Sequence, residues 1–313
     1  MTTSIAWLFP GQGAQAVGMG RALAEQYPAA RGVFETADAA LGFPLSTLCF
    51  EGPKDSLDDT YNSQPAILTV SIAALRALAE ATDDRLQQPQ FCAGHSLGEY
   101  SALVAAGALD FEDALRLVRE RGRLMKKAGE ESPGGMAALI GVDDATAQRL
   151  AEAVDGVQVA NYNSPGQVVL SGRSEGIARL GEVGKSFGVR KVMPLAVTIA
   201  AHSRLMAGIA EEYRVAVEAT PIEKPRIPVI GNVRALPLET VEEIRAEMVE
   251  QLTASVRWTA SVQYLAEHGV DAFVELGPGN VLTGLVKRIV KDANARAIGT
   301  PDDINKYLAE VGD

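Results

Sequence analysis

The sequence predicts an α/β protein: a large core spanning 1–131 and 199–313, with a small unit inserted at 132–198. Three observations point there. Short apolar runs alternate with helical patterns toward both ends of the chain. The middle can be drawn as β-α-β-β-α-β, the split βαβ order. A chain of 313 residues is long for one domain and can bury a core without disulfides or metals.

The elements follow in order. Ile5–Phe9 is an apolar strand that stops at Pro10-Gly11-Gln12-Gly13, and a helical pattern resumes at Met19, Ala22, Leu23 and Tyr27. Ala66–Leu78 reads as a helix with little charge, hence a buried one. Pro89–Ala93 is a strand, broken by Gly94–Gly98 and followed by a helix over about 99–106. Asp110–Lys127 is a helix with Asp110 at the N-cap. In the insert, strands are expected at Gly134–Ile140, near Val157–Ala160, at Gln167–Gly172 and at Arg190–Leu195. Helices are expected there at Asp144–Ala153 and Ser174–Phe187. Strands at Arg226–Gly231 and Asp271–Leu276 and helices near Thr240–Leu252 and Val281–Val290 complete the core, and Thr300–Asp313 is a short polar helix or tail. No internal repeat or low-complexity segment is visible.

Composition narrows the function. Hydrophobic residues make up 47% and charged residues 22%, ordinary globular values. The 29 basic and 40 acidic side chains leave a net charge of −11, which disfavours a nucleic-acid partner. No apolar run is long enough to span a bilayer, and Met1–Ser4 carries no basic cluster of the kind that opens a secretory signal. The two cysteines, Cys49 and Cys92, match neither a metal spacing nor a disulfide framework, and are expected as reduced, buried thiols in a cytoplasmic enzyme.

Gly94-His95-Ser96-Leu97-Gly98 fits G-x-S-x-G between a strand and a helix. That spacing lifts a serine Oγ clear of a sharp turn, because the glycines remove Cβ atoms that would clash. The helix begins at once, so the Leu97 N–H is a natural oxyanion donor. A serine needs a base. Of the three histidines, His95 adjoins Ser96 and diverges from it at a bend. His268 sits at a helix end before Gly269. His202, among small apolar neighbours, is the candidate.

In the helix over 110–127, Ala114, Val118 and Met125 form an apolar stripe, and Arg121 falls inside it, roughly 60° from Val118. Arg116, Arg119 and Arg123 fall outside and are expected to be solvated. A core-facing guanidinium requires an anion. That anion is either a carboxylate of the protein or one of a substrate, held bidentately.

These motifs, with Phe9-Pro10-Gly11-Gln12-Gly13, Ser63-Gln64-Pro65-Ala66, Arg121-Gly122, Asn161-Tyr162-Asn163-Ser164-Pro165-Gly166-Gln167, Ala201-His202-Ser203 and Gly277-Pro278-Gly279, resemble the malonyl-CoA:acyl carrier protein transacylases and related acyltransferase domains. They stand in family order from residue 9 to about 290. The resemblance implies an α/β-hydrolase-like core with a ferredoxin-like insert, and transfer of malonyl from malonyl-CoA to acyl carrier protein through an acyl-serine in fatty acid biosynthesis. It implies Ser96 as nucleophile, His202 as base and Arg121 as partner of the malonyl carboxylate. It places Gln12 and the Leu97 N–H at the oxyanion, and the Gln251 carbonyl on the histidine. Gln64, Asn163 and Ala201 are expected at the substrate. Ala201 stands where malonyl-selecting synthase domains often carry phenylalanine, leaving room for a substituted malonyl. No cofactor or metal is implied, and a monomer is expected.

Other readings differ in what they require. A stand-alone polyketide-synthase acyltransferase would use the same parts. A serine thioesterase predicts an acidic residue between Ser96 and His202 in hydrolase order. A nucleotide module on Gly11-Gln12-Gly13 fails G-x-G-x-x-G at Ala16, and a non-catalytic subunit has no use for His202 and Arg121. For an acidic carrier protein, two basic clusters are docking candidates: Arg116, Arg119, Arg123, Lys126 and Lys127 on one helix, and Lys287, Arg288 and Lys291 on another.

Overall fold

The computed structural model describes residues 3–311. Met1 and Thr2 of the N-terminal reading, and Gly312 and Asp313 of the C-terminal one, lie outside the described residues. In chain order, β1 (Ile5–Phe9) leads to α1 (Arg21–Gln26), α2 (Pro28–Leu41), α3 (Leu45–Glu51), α4 (Lys54–Asp58) and the long α5 (Thr60–Ala81). Then come β2 (Phe91–Gly94), α6 (Gly98–Ala105) and α7 (Phe111–Glu131). A second group follows: β3 (Gly134–Ile140), α8 (Asp144–Ala153), β4 (Val157–Ser164), β5 (Gln167–Arg173), α9 (Ser174–Ser186) and β6 (Lys191–Pro194). After a 3-10 turn (Arg204–Ile209) come α10 (Ala210–Ala219), β7 (Val229–Ile230), β8 (Pro237–Leu238), α11 (Val241–Glu250) and α12 (Trp258–Glu267). The chain closes with β9 (Ala272–Leu276), α13 (Val281–Ile289), β10 (Asn294–Ile298) and α14 (Pro301–Val311).

The large sheet runs β10-β9-β1-β2-β7-β8, parallel except for the β7–β8 hairpin. Its central strand β1 is buried on both faces, which is why it reads as a continuous apolar run. Ile5, Trp7 and Phe9 pack with α2, α5 and α7 on one side; Ala6 and Leu8 pack with Trp258, Val262 and Leu285 on the other. The small sheet, β4-β5-β3-β6, is antiparallel. One face carries Ala137, Leu139, Val168 and Leu170 against α8 and α9. The opposite face carries Met136, Ala138, Ala160 and Val169, against which Ala201 of the returning chain packs.

Several elements differ from the sequence expectation. Helix α5 starts at Thr60 rather than Ala66, running through Pro65. Proline discourages a helix interior, but Asp59 caps the true start by accepting the Tyr61 N–H, and the segment is wedged against α7. There Gly122 comes so close to α5 that a Cβ would lie 2.6 Å from the Thr60 oxygen. Expected as a strand over 226–231, β7 pairs only at Val229 and Ile230, with Pro225 and Pro228 ahead of it offering no N–H. Helices α2, α3, α4 and α10 and strand β10 had no counterpart in the sequence reading.

Candidate active site

β1, β2 and β7 are neighbours, and each ends in a loop on the same edge of the parallel sheet, where α/β proteins place their sites. The β2 loop makes a tight bend. Ser96 adopts φ +51°, a left-handed conformation that costs a non-glycine residue strain. The flanking glycines make the bend possible: a Cβ on Gly94 would lie 2.0 Å from the Gly98 carbonyl, and one on Gly98 would lie 2.0 Å from the Phe9 oxygen.

Ser96 Oγ lies 2.8 Å from His202 Nε2. His202 Nδ1–H donates to the Gln251 carbonyl oxygen at 2.8 Å, which fixes the tautomer and leaves Nε2 to accept the serine proton. His202 is also left-handed, at φ +56°. It is buried, and burial together with the neighbouring Arg121 guanidinium pushes its pKa down to about 3. The imidazole is therefore neutral near pH 7.

Arg121 is fully buried and forms no ion pair among the described residues. Its Nη1 donates to Gln64 Oε1 at 2.9 Å; its Nη2 donates to Gln251 Oε1 at 2.8 Å and to Ser96 Oγ at 3.3 Å. Its Nε donates to nothing among the described residues. The protein-carboxylate option left open by the sequence is not what the structure contains: the guanidinium is held by two neutral amides and the Ser96 hydroxyl. Nearby Glu99 accepts from the Asn232 N–H rather than from Arg121, and burial and the charge of Glu247 raise its pKa well above the ordinary carboxylate range.

The Gln12 side chain donates to Ser63 Oγ and accepts from Thr60 Oγ1, and Gln64 Nε2 donates to the same Thr60. A chain of hydrogen bonds thus runs from the β1 loop to Arg121. The Leu97 and Gln12 backbone N–H groups donate to no protein group among the described residues. Asn163 Oδ1 accepts from His95 Nε2 at 2.8 Å, which ties β4 to the Ser96 turn. Ala201 is half-buried beside the small sheet. His268 caps α12 and bonds Tyr264 O, away from this cluster.

Three polar residues in the cluster were not foreseen. Asn232 bridges the Ser96 turn, Thr60 links Gln12 to Gln64, and Gln158 Nε2 donates to the backbone oxygens of His202 and Thr253. For Asn232 only its place at the end of an expected strand was visible in the sequence, not that this strand lies beside the one bearing Ser96. Arg119 corrects another expectation. It is half-buried between the Phe43 and Tyr61 rings, its guanidinium carbon 4.1 and 4.2 Å from their centroids, rather than solvated.

The basic clusters differ. On α7, Arg116 pairs with Glu112 and Asp113, Arg123 with Glu120 and Glu212, Lys126 with Asp59 and Lys127 with Glu212. On and just after α13, Lys287, Arg288 and Lys291 are exposed and meet no carboxylate among the described residues. Cys49 and Cys92 are buried free thiols. Among the described residues no cluster of three or more His, Cys, Asp or Glu could hold a metal, and no helix is long and apolar enough to cross a membrane.

Comparison with known proteins agrees on one family. Residues 6–306 match the acyl transferase domain. The malonyl CoA-acyl carrier protein transacylase of Bacillus subtilis is 44% identical over 306 residues, covering 96% of this chain and 95% of the relative. That of Escherichia coli K12 is 44% identical over 302 residues, covering 96% and 97%. The crystal structure of acyl-carrier-protein-S-malonyltransferase from Bartonella henselae superposes with a TM-score of 0.93 at 40% identity, covering 99% of this chain and all of that one. A type II polyketide acyl-carrier protein in complex with its malonyl-transacylase gives 0.94 at 39% identity, covering 98% of this chain and 100% of the matched chain. The chain belongs to the acyl transferase domain family.

Proposed function

We propose that the protein transfers malonyl from malonyl-CoA to the phosphopantetheine thiol of acyl carrier protein, supplying fatty acid biosynthesis. The observation that carries this is Arg121: a buried cation without a counter-ion, 3.3 Å from the serine oxygen. It suits an acyl group whose own carboxylate sits one methylene from the reacting carbonyl. Burying a guanidinium without an anion costs several kcal/mol, about 3–5 when a partner is missing, and binding a malonyl carboxylate recovers that cost.

In the mechanism, Ser96 Oγ gives its proton to His202 Nε2 and attacks the thioester carbon. The Leu97 and Gln12 N–H groups receive the oxyanion. The tetrahedral intermediate collapses, the C–S bond breaks, and coenzyme A leaves with the proton from His202. The carrier thiol then yields its proton to His202, attacks the malonyl-serine ester, and Ser96 recovers its hydrogen. Nδ1 of the histidine faces a carbonyl rather than a carboxylate, which argues against the hydrolase-type acid that a thioesterase reading requires. A thioester needs no stronger base.

The same reading takes 1–131 and 199–313 as an α/β-hydrolase-like core and 132–198 as a ferredoxin-like subdomain. Supporting it are the serine turn between a parallel strand and a helix, and the small sheet's order, which is second-third-first-fourth in its own chain order. We take the protein as a cytoplasmic monomer without a cofactor or metal, coenzyme A being part of the substrate. An acidic carrier would dock at Lys287, Arg288 and Lys291, whose charges are free, rather than at α7, whose charges are neutralised. Incubation with malonyl-CoA followed by intact mass should show one malonyl adduct that carrier protein discharges far faster than water does. An adduct that persists in Ser96→Ala would overturn the assignment.

A further inference from the structure

We propose that Asn232 is a positioning residue that fixes the left-handed turn at Ser96 and so aims its Oγ at His202. The proposal rests on Ser96 being the acylated residue. Asn232 is 1% exposed and lies just past β7, beside β2 in the sheet. Its Oδ1 accepts the Ser96 N–H at 2.6 Å, and its Nδ2 donates to the Gly94 oxygen at 2.7 Å. One amide thus grips the bend on both sides of His95. Gln251 Nε2 donates to the Ser96 carbonyl at 3.3 Å, so both peptide groups of the serine are held from outside the turn.

Asn232 is held in turn. Its own N–H donates to Glu99 Oε2 at 2.9 Å, and its carbonyl accepts from Arg257 N–H at 2.9 Å. All four of its polar atoms are engaged. Glu99 lies in the first turn of α6, directly after the bend, so the anchor of Asn232 moves with the element it clamps. Next to it, Glu247 Oε1 accepts the Val233 N–H at 2.7 Å, and Gly231 leaves that carboxylate room: a Cβ there would lie 2.9 Å from its Cδ. Glu99 Oε1 is buried and bonds to nothing among the described residues. Burial raises the pKa of both carboxyls, that of Glu99 well above the ordinary carboxylate range.

The clamp also divides labour at the bend. An N–H at a nucleophile can be given to an oxyanion, but the Ser96 N–H is spent on Asn232. Only the next N–H, that of Leu97, remains free beside it. Strained residues persist where surrounding bonds over-determine them, and Asn232 supplies that determination here. Thermal relaxation of the turn without it would misdirect Oγ, and a displacement of about 1 Å costs roughly 10²-fold in rate.

The test compares wild type, Asn232→Ala and Asn232→Asp by three readings. These are single-turnover malonylation by intact mass, inactivation by a small fluorophosphonate that carries no carboxylate, and malonyl-CoA affinity measured on a Ser96→Ala background. Asn232→Ala should slow malonylation and fluorophosphonate attack by the same factor, about 30- to 100-fold, while the malonyl-CoA Kd stays within about twofold. Asn232→Asp keeps an acceptor for the Ser96 N–H and should recover part of that loss. A folded Asn232→Ala protein that reacts with fluorophosphonate at the wild-type rate overturns the proposal, as does a rate loss matched by an equal loss of affinity. Should Asn232→Ala not fold, Asn232→Asp decides by the same ratio. Wild-type protein unmodified at Ser96 by either reagent would instead remove the nucleophile assignment.

Discussion

The two sheets serve the site by different means. From the large sheet come groups at the ends of three adjacent strands: the Gln12 loop, the Ser96 bend and Asn232. These are polar and hemmed in by close backbone contacts, and the bend itself is strained. The small sheet supplies an apolar face and hydrogen bonds to the His95 ring and to backbone oxygens. Asn163 holds His95, Gln158 ties His202 to the Thr253 carbonyl, and β4 pairs with Val256 just beyond Gln251. Chemistry and the clamp on Ser96 sit where the parallel chain turns sharply, and further alignment comes from the antiparallel insert. Loss of a core group should therefore cost orders of magnitude, and loss of an insert group only a small factor.

Arg121→Ala tests the core side most severely. Truncating one partner of a buried charged pair costs about 2–5 kcal/mol, at about 1.4 kcal/mol per tenfold. Malonyl loading should fall by about 30- to 4,000-fold, while acetyl loading, which offers the guanidinium no carboxylate, changes by less than about tenfold. Rates of acylation with the two thioesters give the ratio. Equal losses would mean that Arg121 merely supports the pocket, through Gln64 and Gln251, and would erase the contrast with the insert.

His202 gives the next largest effect, seen in pH dependence. Its folded pKa is lowered, so the neutral base persists as pH falls and is lost only on approach to about 3. Acylation should stay flat well below about 6.5, the value at which an unperturbed histidine would titrate. One cause of the shift is the Arg121 charge, which a bound malonyl carboxylate offsets. The acid limb for discharge of the acyl-enzyme should therefore lie at higher pH than that for its formation. Steady-state kcat/KM for malonyl-CoA and for carrier protein, measured against pH, separates the two. An acylation limb near 6.5 would show that the imidazole is far more solvated than its burial indicates.

What the sequence made legible follows the same division. Ser96 is readable because its motif is local, and Arg121 because one charge interrupts a helical stripe. Asn232 is not, because β7 lies beside β2 only through a crossover, and no local pattern reports sheet order. The start of α5 was missed because Pro65 is a strong local signal, overridden by packing against Gly122. Arg119 was misplaced because helical phase says which face it occupies, but not that Phe43 and Tyr61 sandwich it. The insert's strands and helices were legible almost to the residue in several places, Gly134–Ile140 and Asp144–Ala153 among them, because its alternation is local.

Gln158→Ala probes the insert side and should have the smallest effect. Its amide donates to the His202 and Thr253 oxygens at 3.2 Å each, and its carbonyl accepts the Arg204 N–H at 2.9 Å. A neutral hydrogen bond contributes about 0.5–1.5 kcal/mol net, and water can replace part of the set because Gln158 is only half-buried. His202 keeps its bond to the Gln251 carbonyl, so the tautomer survives. What loosens is the backbone at a left-handed residue, and with it the fit of Nε2 to Ser96. Malonylation and discharge should both slow by about three- to tenfold, with the malonyl-to-acetyl ratio unchanged, since Gln158 touches neither Arg121 nor its amide partners. A shifted ratio would show that the insert reaches into acyl selection, and would move specificity from the core alone to the seam between the two sheets.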